Sequence, residues 1–229
     1  MEIEQYLYDL NAKGEAIVAY TMRSKSGASV QLCNLGASVL ALSLPDAEGK
    51  FEDVASGVSI RGLRALDGDY DSGINFADRL WESRVETNRV VMMLSYERDG
   101  VGIVNEAIFD FDDDDTLEIT YVACVDSDSI FDLTQSLSFN LGEECSVNIN
   151  SNGSDSSIFP ITDAKHGILA EVATLHSPIS KRKITLFSSQ PDIYYNAEKC
   201  EIAPLTAESK ILAAEVRFIQ KSLYRFSLE

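Results

Sequence analysis

The sequence predicts an all-β fold, a large sandwich of antiparallel sheets. Three observations carry that prediction. Apolar and polar residues alternate with a period of two along much of the chain. Turn-forming residues punctuate the pattern at short intervals. Helical periodicity is scarce. Many short strands at such spacing suit a sandwich or barrel.

In chain order, Ser29-Val-Gln-Leu-Cys-Asn34 alternates, as a strand with one buried face does. Val39-Leu-Ala-Leu-Ser-Leu44 is denser and fits a strand covered on both faces. The segment from Ser56 to Leu66 can hold a turn or two of helix. Arg89-Val-Val-Met-Met-Leu94 is again dense. Leu117-Glu-Ile-Thr-Tyr-Val122, Ser146-Val-Asn-Ile-Asn150 and Leu223-Tyr-Arg-Phe-Ser-Leu228 alternate. Thr206 to Val216 is the other segment with room for a helical turn or two. Ser26-Gly27, Pro45-Asp46 with Gly49, Asp99-Gly100, Asn152-Gly153 and Gln190-Pro191 mark the turns. The Ser/Asp/Asn-rich stretch from Asn148 to Ser157 reads as an exposed loop, with apolar pattern resuming at Ile158. No repeat or linker-like shift divides the chain, so one domain over residues 1–229 is expected.

Asp112-Asp-Asp-Asp115 is the most conspicuous charge run. Carboxylates suit calcium, but consecutive side chains diverge instead of converging on one ion. The run lies between the strand patterns 107–111 and 117–122, and a solvated hairpin turn accounts for it.

Composition bounds the function. With 19 Lys+Arg against 37 Asp+Glu the formal charge is −18. Nucleic-acid binding needs clustered cations, and so does docking on anionic membranes, so neither partner is expected. No apolar run approaches the length of a membrane span. Residues 1–20 carry Glu2, Glu4, Asp9 and Glu15 and no apolar core, unlike a signal peptide, so a cytoplasmic protein is expected. Cys33, Cys124, Cys145 and Cys200 lie far apart in sequence and form no C-x-x-C pair. Reduced core thiols are the expected state. The two histidines, His166 and His176, exclude a three-histidine metal site, and no metal or cofactor is expected.

The usual catalytic signatures are absent: no Gly-rich phosphate loop, no G-x-S-x-G, no H-E-x-x-H. Trp81, in Asp78-Arg-Leu-Trp-Glu82, fits either a sugar-stacking platform or a core ring.

Several segments, taken in order, carry a resemblance. Gly36-Ala-Ser-Val-Leu-Ala-Leu-Ser-Leu-Pro-Asp-Ala-Glu-Gly49 is followed by Asp53-Val-Ala-Ser-Gly57. Phe76-Ala-Asp-Arg-Leu-Trp-Glu82, Leu117-Glu-Ile-Thr-Tyr-Val-Ala123 and Asp132-Leu-Thr-Gln-Ser-Leu-Ser-Phe-Asn-Leu141 come next. Ser177-Pro-Ile-Ser180, Gln190-Pro-Asp-Ile-Tyr-Tyr-Asn196 and Ala203-Pro-Leu-Thr206 complete the set. In this order they resemble the strand, G-F-D-x-R-x-W-E, L-x-I-x-Y-x-A, N-L-T-N-H-S-Y-F-N-L, S-P-x-S-G, x-P-x-x-x-Y-x-x-N and E-P-M-T motifs of the aldose 1-epimerase (galactose mutarotase) family. The resemblance implies a galactose mutarotase-like supersandwich, here trimmed, with a sugar cleft on one sheet. In that family a histidine acid protonates the ring oxygen while a glutamate base takes the proton of the C1 hydroxyl. The ring opens, C1 rotates and the ring closes without a cofactor.

The departures fall on the chemistry. The family's acid histidine falls on Ser136, and its glutamate base falls on Ala203. The interval between Gly57 and Phe76 is too short for the family's A-N-R-I hairpin and L-H-G-G histidine. His166 stands near the family's Y-D-H motif, with Lys165 where the aspartate would be. Glu201 lies two residues before Ala203 and on a strand would share its face, displaced by about 7 Å. No catalytic residue carries over, and Glu201 is a weak substitute. The substrate-binding candidates are Ser136, Ser138, Arg79, Asp78, Glu201 and His166. The expected function is a carbohydrate-binding protein, catalytically degenerate, for a monosaccharide or sugar derivative. The alternatives are an anomer-interconverting isomerase with a rearranged site, and a structural or interaction module, with a homodimer as one assembly.

Overall fold

In the computed structural model, residues 1–55, 64–65, 76–98, 101–125, 129–132, 136–142, 144–153, 157–162, 164–165, 167–205, 209–211 and 217–229 are described. Those residues form twenty strands and one 3-10 turn, Phe76–Asp78. The first five strands are β1 (Glu2–Leu10), β2 (Ala16–Arg23), β3 (Ser29–Cys33), β4 (Ser38–Pro45) and β5 (Phe51–Asp53). Next come β6 (Arg64–Ala65), β7 (Glu82–Glu86), β8 (Arg89–Arg98), β9 (Val101–Phe111) and β10 (Thr116–Val125). Then follow β11 (Ser129–Asp132), β12 (Leu137–Ser138), β13 (Ser146–Ile149), β14 (Ile158–Pro160) and β15 (Ala170–His176). The last are β16 (Arg182–Ser188), β17 (Asp192–Asn196), β18 (Glu201–Leu205), β19 (Ser209–Ile211) and β20 (Phe218–Leu228).

These strands build four sheets: β1-β2-β3-β4-β5, β13-β15-β16-β20-β10-β9-β8-β7, β19-β11-β6 and β12-β18-β17-β14. Every pairing in them is antiparallel. The alternating segments read from the sequence are all strands. Along β9, Ile103, Ala107, Phe109 and Phe111 point into the core, as do Leu117 and Ile119 of the facing β10. One contiguous apolar cluster joins residues of the five-, eight- and four-stranded sheets. Trp81 is 1% exposed, and its ring meets Phe76 edge-on at 6.3 Å, so of its two readings the core ring holds.

The turns follow from side-chain chemistry. Asp46 accepts the backbone N–H groups of Glu48 and Lys50, both at 2.9 Å, and Gly49 takes the positive φ of 80° that the turn needs. Asp112 does the same for Asp114 and Thr116, at 2.9 Å each, so the acidic run is a hairpin turn. Its next members reach across the molecule. Asp113 pairs with the N-terminal amine at 3.1 Å and with Lys25 at 2.6 Å, which hold its carboxyl below the usual range. Asp115 accepts hydrogen bonds from Ser24 and Ser26.

Two expectations need correction. Within the segments expected to hold helical turns, Arg64–Ala65 and Ser209–Ile211 are strands. They flank β11, and Phe131 is the Cα partner of both Ala65 and Ser209. An open strand edge satisfies backbone groups that a single helical turn leaves unpaired, and it overrides a weak local pattern. The remainder of both segments, and Asp99-Gly100, lie outside the described residues.

The five- and eight-stranded sheets are clamped by Arg182 at the start of β16. Its side chain is 3% exposed. The guanidinium donates to the carbonyls of Leu44 (3.2 Å), Pro45 (3.2 Å) and Lys50 (3.1 Å) and to the Glu52 carboxylate (2.9 Å). Replacing Arg182 with Ala removes the side-chain donor from those carbonyls, of which that of Leu44 is buried, and is expected to cost about 3 kcal/mol. Urea denaturation of Arg182→Ala beside Glu52→Gln checks this. The Glu52 variant should melt close to the native chain, because that carboxylate is exposed.

Candidate functional site

The four-stranded sheet carries the positions on which the epimerase acid and base fall. Leu137 is the Cα partner of Ile202 and Ser138 that of Glu201. Extending this register by one residue sets Ser136 opposite Ala203. Ser136, Ser138, Glu201 and Ala203 therefore share one face, since directly paired residues point the same way. Leu137, Phe139 and Ile202 take the opposite face and enter the core, where the Phe139 ring lies 6.1 Å from that of Tyr224 on β20.

The shared face is closed in as well. Ser136 is 4% exposed and Glu201 is 5% exposed, while Ser138 is half-buried. The Ser136 hydroxyl donates to the Glu201 carboxylate. The neighbouring β17 adds Tyr194, the partner of Ala203, and Asn196, the partner of Glu201. The face thus offers a carboxylate, hydroxyls and an amide. Among the described residues it carries no imidazole.

A second polar group lies on the inner face of the eight-stranded sheet. Tyr121 on β10 is the partner of both Ala107 and Gln220, and Asn105 follows diagonally beyond Ala107 on β9. Ser188 is the partner of Ser222, and Ser189 donates its N–H to the Lys221 carbonyl at 3.0 Å. Carried on by two residues, that register sets Gln190 opposite Gln220. Asn105, Tyr121, Gln190 and Gln220 are each no more than 3% exposed.

Among the described residues, both polar atoms of the Asn105 amide and of the Gln190 amide have no hydrogen-bond partner, nor have the hydroxyls of Tyr121 and Tyr224. Burial, and secondarily the nearby Tyr224, pushes the Tyr121 phenol far above its ordinary range. Each unpaired buried group costs about 1–3 kcal/mol, so several in one region call for water or a ligand. Sequence reasoning missed this row. The signal was present at Asn105, which occupies an apolar phase of the alternation between Ile103 and Ala107.

Asp78 and Arg79 are exposed at the 3-10 turn. That turn is tied to the β3–β4 connection, through the Leu35–Leu80 bridge and the Gly36 N–H to the Arg79 carbonyl at 2.8 Å. His166 lies outside the described residues.

Sheets of this size and order define a class, the galactose mutarotase-like antiparallel β-sandwich, and the chain has that fold. Among solved structures it is similar to galactose 1-epimerase from Lactobacillus acidophilus NCFM. There the TM-score is 0.73 at 15% identity, over 100% of this chain and 99% of that one. It is also similar to the GalM/aldose epimerase homologue from C. elegans, with TM-score 0.68 at 16% identity, over 91% of this chain and 98% of that one. A more distant likeness is to 4-alpha-glucanotransferase from Thermococcus litoralis, with TM-score 0.50 at 11% identity, over 98% of this chain and 40% of that one. No family model and no curated protein matches the sequence. At these identities the likeness establishes the fold, and its epimerase neighbours agree with the motifs read along the sequence.

Removing the hydroxyl that faces Glu201 tests the local geometry. Ser136→Ala is expected to lower stability by about 1.5–3 kcal/mol, the value of a hydrogen bond to a charged group that stays buried. Chemical denaturation measures it, and combining Ser136→Ala with Glu201→Gln should recover part of the loss.

Proposed function

We propose that this chain is a carbohydrate-binding protein on a mutarotase-like sandwich whose acid–base pair has been lost. One observation carries the reading. The positions where the epimerase histidine and glutamate fall face each other across β12 and β18, and they hold a hydroxyl and a methyl group, Ser136 and Ala203. Ring opening needs a proton donated to the ring oxygen and one removed from the C1 hydroxyl. A serine hydroxyl is too weak an acid for the first task, and alanine has no part in the second.

The polar groups that remain are suited to holding a sugar. An amide presents a donor and an acceptor together, which is what a sugar hydroxyl requires, and Asn105 and Gln190 have both sites open. The ligand is a monosaccharide or sugar derivative, the chain acts as one domain, and no cofactor takes part. A cytoplasmic setting fits the four free thiols.

A second reading, an isomerase with a rearranged site, is favoured by one feature: Glu201 places a carboxylate beside a hydroxyl on the same face. A third, an interaction module, is favoured by the edge strand β1. There Tyr6, Leu7, Tyr8 and Leu10 are all exposed, and a second copy of the chain could cover them. Light scattering that finds only monomer removes the third.

Isothermal titration against a panel of aldoses and sugar phosphates tests the proposal. Heat with at least one sugar is expected, and silence across the panel would overturn it. Asn105→Ala and Gln190→Ala should each weaken the best ligand about tenfold, the loss of one good hydrogen bond. Anomer exchange of galactose or glucose followed by NMR should run at the uncatalysed rate. Acceleration that disappears in Glu201→Gln would establish the isomerase instead.

A further inference from the structure

The free edge of β1 departs from the pattern of the other sheet ends. An edge strand exposes unpaired backbone groups, and folded proteins usually keep such strands short or charged. Among the described residues, the other strands that end a sheet are two to five residues long. β1 runs for nine, and its only sheet neighbour among those residues is β2.

The register sorts its side chains into two rows. Ile3, Gln5, Leu7 and Leu10 are the Cα partners of Met22, Tyr20, Val18 and Ala16. Met22 and Tyr20 are buried in the core, so that row takes the inward phase. Glu2, Glu4, Tyr6 and Asp9 are the partners of Arg23, Thr21, Ala19 and Ile17 and take the outward phase. A register shift between Leu7 and Asp9 sets Tyr8 aside as an extra residue. Without it Asp9 would turn inward and Leu10 outward, so the bulge is what keeps the acids and the apolar side chains on separate faces.

Both rows are left open. Leu7 is 63% exposed and Leu10 is 54% exposed, although their phase is that of the core. The outward row holds three acids, and the four positions of β2 opposite it supply one cation, Arg23.

We propose that the free edge of β1 takes an extended cationic segment of another protein as a sixth strand of the five-stranded sheet. In that segment Lys or Arg alternates with apolar residues. The β1 backbone supplies the hydrogen-bond ladder, as in strand addition generally. Residues directly across a sheet share a face, so the segment's cations lie opposite Glu2, Glu4 and Asp9. Its apolar residues lie opposite Ile3, Leu7 and Leu10. Charge selects this occupant over a second copy. Antiparallel pairing of two β1 strands about a two-fold axis sets three more acids on the same face, between chains of formal charge −18 each. A cationic strand neutralises that face instead.

The inference stands apart from sugar binding, and its test uses no sugar. The probe is a labelled nine-residue peptide of alternating Lys and Val, titrated into the native full-length chain. Fluorescence anisotropy should show it binding about tenfold tighter than a peptide of the same composition with its lysines and valines in two blocks. Raising the ionic strength from about 0.05 M to about 0.5 M should weaken it severalfold, since the ion pairs are exposed. Amide hydrogen exchange should slow along β1 and stay unchanged in β5 and β7, which end sheets elsewhere.

Two double variants separate the rows. Glu4→Lys with Asp9→Lys should cost about tenfold in affinity and remove most of the salt dependence. Leu7→Ser with Leu10→Ser should weaken binding by a similar factor and leave the salt dependence in place. All four side chains are exposed, so both variants should melt close to the native chain. Equal binding of the alternating and blocked peptides refutes the proposal. So does a failure of the alternating peptide to bind, protection that appears away from β1, or a dimer in light scattering that the Leu7–Leu10 variant dissolves.

Discussion

The structure depends on a buried cation. Arg182 must satisfy its guanidinium away from water, and the partners available are backbone carbonyls at the end of β4 and in the turn after it, with the Glu52 carboxylate at the rim. That requirement fixes where the five-stranded sheet sits on the eight-stranded one. A buried guanidinium with one acceptor missing costs several kcal/mol, so alternative dockings of the two sheets are penalised heavily. The acidic turn adds a second clamp, with Asp113 and Asp115 holding the N-terminus and the β2–β3 turn. Two polar clamps thus orient an interface that its apolar residues alone would hold less specifically.

Once the sheets are docked, the inner face of the eight-stranded sheet is cut off from solvent, and its polar residues face a stricter condition. Gln190, Tyr121 and Asn105 occupy inward phases that elsewhere on this sheet hold Leu, Ile and Phe. Folding alone would favour apolar side chains there, since an unpaired amide in a closed interior is a net cost. Their presence is a cost that water or a polar ligand offsets. The same reasoning applies less strongly to Glu201, whose carboxylate already has the Ser136 hydroxyl.

Much of the fold was legible because a period of two survives in the sequence wherever one face of a strand is buried. Leu117–Val122 and Leu223–Leu228 became neighbouring strands, with Leu117 paired to Tyr224. The Asp112 and Asp46 turns were legible because an aspartate side chain bonds the backbone two and four residues on, a purely local event. What failed was non-local. Nothing near Ser209 announces that β11 offers it an edge. Asp78 and Arg79 sit in a family-like motif, and the contact of their turn with the β3–β4 connection is non-local in the same way. Asn105 shows the opposite case. A polar residue in an apolar phase was visible in the sequence, but only burial shows that it is unsatisfied.

The pairing of Ser136 with Glu201 bears on whether this carboxylate replaces the missing base. A base in this chemistry must present a lone pair to the C1 hydroxyl and accept its proton in the transition state. In Glu201 one oxygen already accepts from Ser136, so that oxygen is engaged before any ligand arrives. Its position is also two residues along β18 from the residue it would replace, and displacements of that size forfeit much of the advantage of a positioned reactant. A carboxylate arranged in this way is better at accepting a hydrogen bond than at removing a proton. The geometry of this carboxylate therefore fits the proposed binding role better than the proposed alternative of an isomerase.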